Sequence, residues 1–230
     1  MTTRSSIIDA SEVYLPDGSI RKYGLIYTNQ CGWIDLGHAN PEGKGFAGAL
    51  SLWRQIRSQT SCKERVHEKA PARIIFSQSM QNRFGAKAGV TRRYEVQRHL
   101  SSEYEQKSIA LAIFIDVSTA FEGLQANWFF RHVTDSGYSS EDLVSNLIGF
   151  YRAVNPGIDY IQGCDPVSKE QALAIWDTYG EVGRNKNHEF MPVFYPHPQL
   201  QCGIPRKGRL PLWLDTIKPA RMGEKFKELR

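Results

Sequence analysis

Between residues 101 and 126, apolar and polar positions alternate with a helical period, and the middle, Ile109 to Val117, is apolar almost all round. That is the pattern of a helix buried in a core. Ser102 followed by Glu105 has capping-box spacing at its start. Two shorter helices carry the same signal. Ser139-Ser-Glu-Asp142 opens one that runs to Val154, with Leu143, Leu147, Ile148 and Tyr151 as its buried stripe. Ser168 with Gln171 opens another that runs to Tyr179. A fourth helix is expected from Gly45 to Ser58, its stripe formed by Phe46, Leu50, Trp53 and Ile56 or Arg57.

The period shortens to two elsewhere. Ser11 to Leu15 and Ile20 to Tyr27 flank Pro16-Asp17-Gly18, a turn tripeptide, and predict a hairpin. Arg73 to Ser77 and Val90 to Leu100 read as strands, as does Glu189 to Tyr195. Residues 60–72 are polar, and Pro196 to Pro219 holds five prolines, so both read as irregular. No repeat or low-complexity segment is present. Strands and helices do not alternate regularly. The expected class is α+β, a small antiparallel sheet packed against several helices, in a single domain spanning 1–230.

Composition changes this picture little. Of the 230 residues, 41% are hydrophobic, 23% charged and 11% aromatic, which is ordinary globular usage and excludes a disordered chain. No apolar run approaches the roughly 18 residues needed to span a bilayer, so membrane insertion is not expected. The first residues lack the apolar core of a secretory signal. The expectation is synthesis in the cytoplasm and, for action elsewhere, export without a cleaved signal. Cys31, Cys62, Cys164 and Cys202 form no C-x-x-C pair and suggest free thiols. The net charge is +5, and the segment 205–230 accounts for it with eight Lys or Arg against three acids. A basic segment favours anionic partners or a protein dock, and the bland reading is a solvated surface.

Three motifs bear on chemistry. Gly43-Lys-Gly45-Phe-Ala-Gly48 matches G-x-G-x-x-G, but no βαβ pattern surrounds it, so no nucleotide or other cofactor is expected. Cys31-Gly-Trp-Ile-Asp35-Leu-Gly-His38 gathers a thiol, a carboxylate and an imidazole within eight residues. A cysteine nucleophile needs a base, and the base needs an orienting partner. On a helix the three share a face. On a strand, which Ile34 and Leu36 favour, Cys31 and Asp35 share a face and His38 needs a partner from elsewhere. The bland reading is a buried Cys, a capping Asp and a surface His. Third, Ser139, Asp142 and Asn146 share a helical face at a helix N-terminus, where Ser139 or Ser140 is a candidate nucleophile and Asn146 a polar partner. Capping plus a solvated face is the bland reading there. Asp35, His38 and Glu141 are also a candidate cation set, although their spacing fits no established pattern. The other histidines are isolated, and His197 with Cys202 is a weaker Cys/His pair.

Gly32-Trp-Ile-Asp-Leu-Gly-His38 and Ser140-Glu-Asp-Leu-Val-Ser-Asn-Leu-Ile-Gly149 resemble paired elements of a bacterial family. The chain as a whole is similar to antibacterial type VI secretion effector hydrolases with an NlpC-like cysteine peptidase fold. The resemblance implies a papain-like α+β fold. It also implies a toxin that cleaves peptidoglycan amide bonds in the periplasm of a target cell. Its partners would be the peptidoglycan substrate, a secretion spike or adaptor protein and a cognate immunity protein, with nucleic acid not expected. In that scheme Cys31 is the nucleophile, His38 the base and Asp35 its orienter. The context differs from the family pattern: Gln-Cys-Gly-Trp stands where Asp-Cys-Ser-Gly is usual, and nucleophile and base lie only seven residues apart. The alternatives are a metal-dependent hydrolase using Asp35, His38 and Glu141, and a non-enzymatic protein that binds through the basic segment.

Overall fold

The computed structural model describes residues 3–60, 70–81, 87–124, 141–182, 187, 189–199 and 203–229. It is mixed α/β, with small antiparallel sheets and five α-helices among the described residues. The chain divides into two compact units, each built from separate stretches. One comprises Met1–Asn40 and Gln125–Leu214, the other Pro41–Leu124 and Asp215–Arg230.

The first unit is organised on a hairpin of β1 (Leu25–Thr28) and β2 (Gly32–Asp35), with Ile26 opposite Ile34 and Tyr27 opposite Trp33. The Pro16-Asp17-Gly18 turn does form, with Leu15 N–H on the Ser19 carbonyl at 2.8 Å, but it closes a single bridge, Tyr14 to Ile20. The paired hairpin is the next one along. Both faces of β1 are buried, so its sequence shows an apolar run rather than alternation. On one face Trp33 packs edge-on against Tyr27 (centroids 5.2 Å apart) and against Trp176 (5.9 Å). Trp176 belongs to α5 (Lys169–Tyr179), which starts at Ser168, whose hydroxyl accepts the Gln171 N–H as its spacing predicts. α3 (Asp142–Val154) packs on β2, and α4 (Tyr160–Gly163) follows it. The strand expected from Glu189 shrinks to β5 (Val193–Phe194), paired with β6 (Arg206–Lys207).

Gly32 is what lets β5 approach β2. Its φ is +68°, and a Cβ there would stand 2.3 Å from the Val193 carbonyl oxygen. Gly32→Ala adds left-handed strain to a collision with backbone. It is expected to lower unfolding free energy by about 2–4 kcal/mol, read from the denaturation midpoint.

In the second unit, α1 (Ala49–Thr60) and α2 (Glu103–Leu124) cover a sheet of β3 (Ala72–Gln81), β4 (Lys87–Val96) and β7 (Phe226–Leu229), in the order β3-β4-β7. α2 buries Ile109, Ile113, Phe114 and Val117. Phe114 lies against Phe76 of β3 (5.7 Å between centroids). Among the described residues, no βαβ unit surrounds Gly43–Gly48.

The basic C-terminal segment is part of the fold and does not project as a tail. β7 is the third strand of the sheet, and Leu214, Ile217 and Phe226 are buried. Four of its lysines face acids: Lys207 on Glu189, Lys218 on Asp215, Lys225 on Glu105 and Lys227 on Glu95. Much of its charge is therefore matched within each unit. A docking tail is not what the segment forms, because apolar positions spaced among its lysines anchor it to the core.

Candidate active site

The segment after β2 turns back on itself at Asp35. One Asp35 carboxylate oxygen, Oδ1, accepts the Gly37 N–H at 2.7 Å, and Ala39 N–H donates to the Asp35 carbonyl at 2.9 Å. Asp35 thus does the work of a capping aspartate, and the turn it closes presents His38.

α3 holds this turn with one face. Ser145 Oγ accepts the Asp35 backbone N–H at 3.0 Å. Gly149 lies so close that a Cβ on it would stand 2.9 Å from the His38 carbonyl oxygen and 3.3 Å from the Ala39 carbonyl. Arg152 Nη1 donates to the Ala39 carbonyl at 2.6 Å. Residues 145, 149 and 152 repeat at helical spacing, and Asp142 continues the stripe one turn toward the N-terminus.

There the side chains meet. His38 Nδ1 is 3.5 Å from Asp142 Oδ1. Asp142 is 8% exposed, while the His38 side chain is 35% exposed. Nδ1 itself is buried, so the exposed part of the side chain belongs to its other atoms. Glu141, next to Asp142, is fully buried. Burial pushes its carboxyl well above the ordinary value. The Asp142 charge adds to this, the Asp35 charge adds a smaller amount, and His38 acts in the opposite sense. Glu141 therefore holds its proton more readily than an ordinary glutamate, and Asp142 is the carboxyl group that faces the imidazole.

The predicted site residues separate into two groups. Asp35, His38, Glu141 and Asp142 are brought together. Asn146 lies one turn along α3 from Asp142 and is also buried. The α3 face is covered rather than solvated, because what it meets is the His38 turn. Ser139 and Ser140 lie outside the described residues, as do Cys62 and Cys202. Cys31 is not part of the cluster. It sits in the β1–β2 connection, buried, with its N–H on Thr28 Oγ1. β2 runs between it and the His38 turn, and its four residues put roughly 10 Å of extended chain between the two ends. The Cys31–His38 pairing that the resemblance implies is therefore not formed, because extended backbone carries neighbours in sequence apart, as the strand reading of this segment requires. Among the described residues, no three His, Cys, Asp or Glu side chains converge as ligands for a cation. The Asp35 carboxylate, one member of the expected set, is turned onto Gly37. His197 is engaged locally, its Nδ1 accepting the Gln199 N–H.

Sequence reasoning missed Ser145, Gly149 and Arg152. Their spacing of four and three residues was the available signal. Compared with known proteins, the chain matches no family model, and no curated protein or solved structure is significantly similar to it.

A part-exposed imidazole with one nitrogen toward a buried carboxylate is suited to proton transfer. The carboxylate favours the tautomer with hydrogen on Nδ1, which leaves the Nε2 lone pair free to act as a base. The 3.5 Å separation is longer than a formed hydrogen bond, and such contacts often tighten only when substrate binds.

The buried Glu141 carries a prediction about pH. Its folded-state pKa is raised above 4.5, the ordinary value. Its contribution to stability is fully present below that value and is lost as pH rises through the folded pKa. Glu141→Gln removes the titration. The variant should match wild type at about pH 4 and melt at a higher temperature at about pH 8, as followed by thermal unfolding across that range. A variant that melts lower than wild type at the alkaline end rejects the argument.

Proposed function

We propose that this protein is a hydrolase of peptidoglycan amide bonds in which His38 is the general base and Asp142 orients it. The observation that carries the reading is the part-exposed His38 side chain, whose buried Nδ1 faces the Asp142 carboxylate at 3.5 Å. The substrate class, delivery by type VI secretion and action in the target periplasm are supported by the resemblance of the two sequence elements that form this cluster. A papain-like, NlpC-like arrangement belongs to the same proposal, supported by the mixed α/β build with short antiparallel strands.

In this mechanism Nε2 takes a proton from the attacking group as it adds to the amide carbonyl, then returns it to the leaving amine. Asp142 stabilises the imidazolium formed in between. Two attacking groups suit such a base, water and the Ser140 hydroxyl, and Ser140→Ala separates them. The buried Cys31 is not the attacking group, so Cys31→Ser keeps its activity.

The test is periplasmic expression in a susceptible bacterium of wild type, His38→Ala, Ser140→Ala and Cys31→Ser, with mass spectrometry of the released wall fragments. Lysis and amide-cleaved fragments from wild type and Cys31→Ser, with neither from His38→Ala, support the reading. Full toxicity of His38→Ala overturns it. Loss of activity in chelator would move the assignment to a metal-dependent hydrolase.

A further inference from the structure

The cluster makes no use of the two described cysteines, yet the fold places them against each other. The β1–β2 connection runs beside the chain leaving α4. Asn29 N–H donates to the Asp165 carbonyl and Gln30 N–H to the Cys164 carbonyl, both at 3.0 Å, and Thr28 bridges Pro166. The Asn29 amide also holds the Asp165 carboxylate at 2.8 Å. Gln30 is thus the residue set against Cys164, and Cys31 follows it directly, so the two cysteines lie on adjoining backbones. A disulfide needs roughly 4.4–6.8 Å between Cα atoms. The Cys31 and Cys164 thiols are close enough to interact, both residues are buried, and the Cys164 thiol donates to the Tyr160 carbonyl at 3.0 Å. Both thiols are free, so the bond is not formed in this state.

We propose that Cys31 and Cys164 are a latent disulfide, reduced where the chain is made and closed in an oxidising compartment. The oxidant is a disulfide, either a small one such as oxidised glutathione or that of a thiol–disulfide oxidoreductase. The Cys31 thiolate attacks one sulfur of the oxidant and expels a thiol. The Cys164 thiolate then attacks Cys31 Sγ in the mixed disulfide and expels the second thiol. Two cysteine thiols lose two protons and two electrons, and the oxidant becomes two thiols. Burial, together with the neighbouring thiol, pushes the Cys164 thiol well above its ordinary value, so the closed fold holds little thiolate there. Closure therefore belongs to refolding or to local opening. The bond would tie the end of β2 opposite His38 to the segment between α4 and α5, and enclose β2, the His38 turn and α3 in one covalent loop.

The experiment refolds the full reduced chain in a glutathione redox buffer and maps it by non-reducing peptide mass spectrometry. The expected result is the Cys31 peptide joined to the Cys164 peptide, two mass units below the reduced pair. Tm should rise by about 5–10 °C, as expected when a long loop is closed. The rise should vanish with dithiothreitol and be absent from Cys164→Ser. Alkylation of both thiols after oxidative refolding overturns the proposal, as does Cys31 or Cys164 joined instead to Cys62 or Cys202. The mapping uses the wild-type chain, so its outcome does not depend on whether a cysteine variant folds. It is also independent of the hydrolase reading.

Discussion

Asp142→Asn lowers the hydrolytic rate by about 10³–10⁴-fold, the loss expected when an imidazole base keeps its place and loses the carboxylate that sets its tautomer. The substitution keeps the size and shape of the side chain. An asparagine can offer His38 Nδ1 its amide N–H, which draws the ring hydrogen to Nε2 and removes the base. The fold should not suffer. The Asp142 charge is the second-largest cause of the raised Glu141 pKa, so removing it relieves a like-charge neighbour of a buried carboxyl. The variant should therefore melt at or above the wild-type temperature at neutral pH. That combination, a large loss of kcat with no loss of Tm, separates an orienting role from a structural one. Release of wall fragments by purified protein gives the first quantity and calorimetry the second. Activity within a few-fold of wild type would remove Asp142 from the mechanism.

Much of the fold was legible because it depends on local signals. The α2 pattern names its own start: the Ser102 hydroxyl accepts the Glu105 N–H at 3.2 Å, and the Glu105 carboxylate reaches back to the Ser101 N–H. Ser168 is equally direct. The first hairpin was not legible, because Pro16-Asp17-Gly18 is a stronger turn signal than Asn29-Gln30-Cys31, although the latter joins the paired strands. Turn chemistry says where a chain reverses and says nothing about how many residues pair afterwards.

The site was half legible for a similar reason. The two motifs that form it, Asp35 to His38 and Glu141 to Gly149, stand out in the sequence, and their partnership does not. More than a hundred residues separate Asp35 from Ser145, and no periodicity connects them. The polar face of α3 was open to a solvated reading because an aspartate and an asparagine at helical spacing usually face water. Here both are buried: Asp142 faces the His38 ring, while Ser145, Gly149 and Arg152 beside it meet the backbone of the turn that carries this ring. The strand reading of Cys31 to His38 already asked for a partner of His38 from elsewhere, and Asp142 is that partner; the pairing of Cys31 with His38 came from the resemblance alone.

Gly149→Val is expected to abolish activity and lower unfolding free energy by about 3 kcal/mol, while Gly149→Ala keeps most of the stability and still loses much of the activity. The difference follows from where the added carbons go. A single Cβ at 149 meets the His38 carbonyl oxygen at 2.9 Å and the Ala39 carbonyl at 3.3 Å, and backbone cannot swing aside as a flexible side chain can. In the alanine variant the strain is partly offset by the roughly 1 kcal/mol that alanine gains over glycine inside a helix. The turn must still move by a few tenths of an ångström, and it carries His38 with it. Ser145 and Arg152 keep hold of Asp35 and Ala39 on either side, so the displacement falls on the residue between them that faces Asp142. Small misplacements of a catalytic base are expensive, up to about 100-fold for 1 Å. Valine adds two more carbons with little freedom at χ1, and the helix must then leave the turn altogether. Gly157→Ala is the matched control, since a Cβ there meets nothing within 4 Å, and it should be fully active. Rates of wall-fragment release and urea midpoints for the three variants decide the matter. A Gly149→Ala protein with wild-type rate and wild-type midpoint would mean that α3 does not set the position of His38.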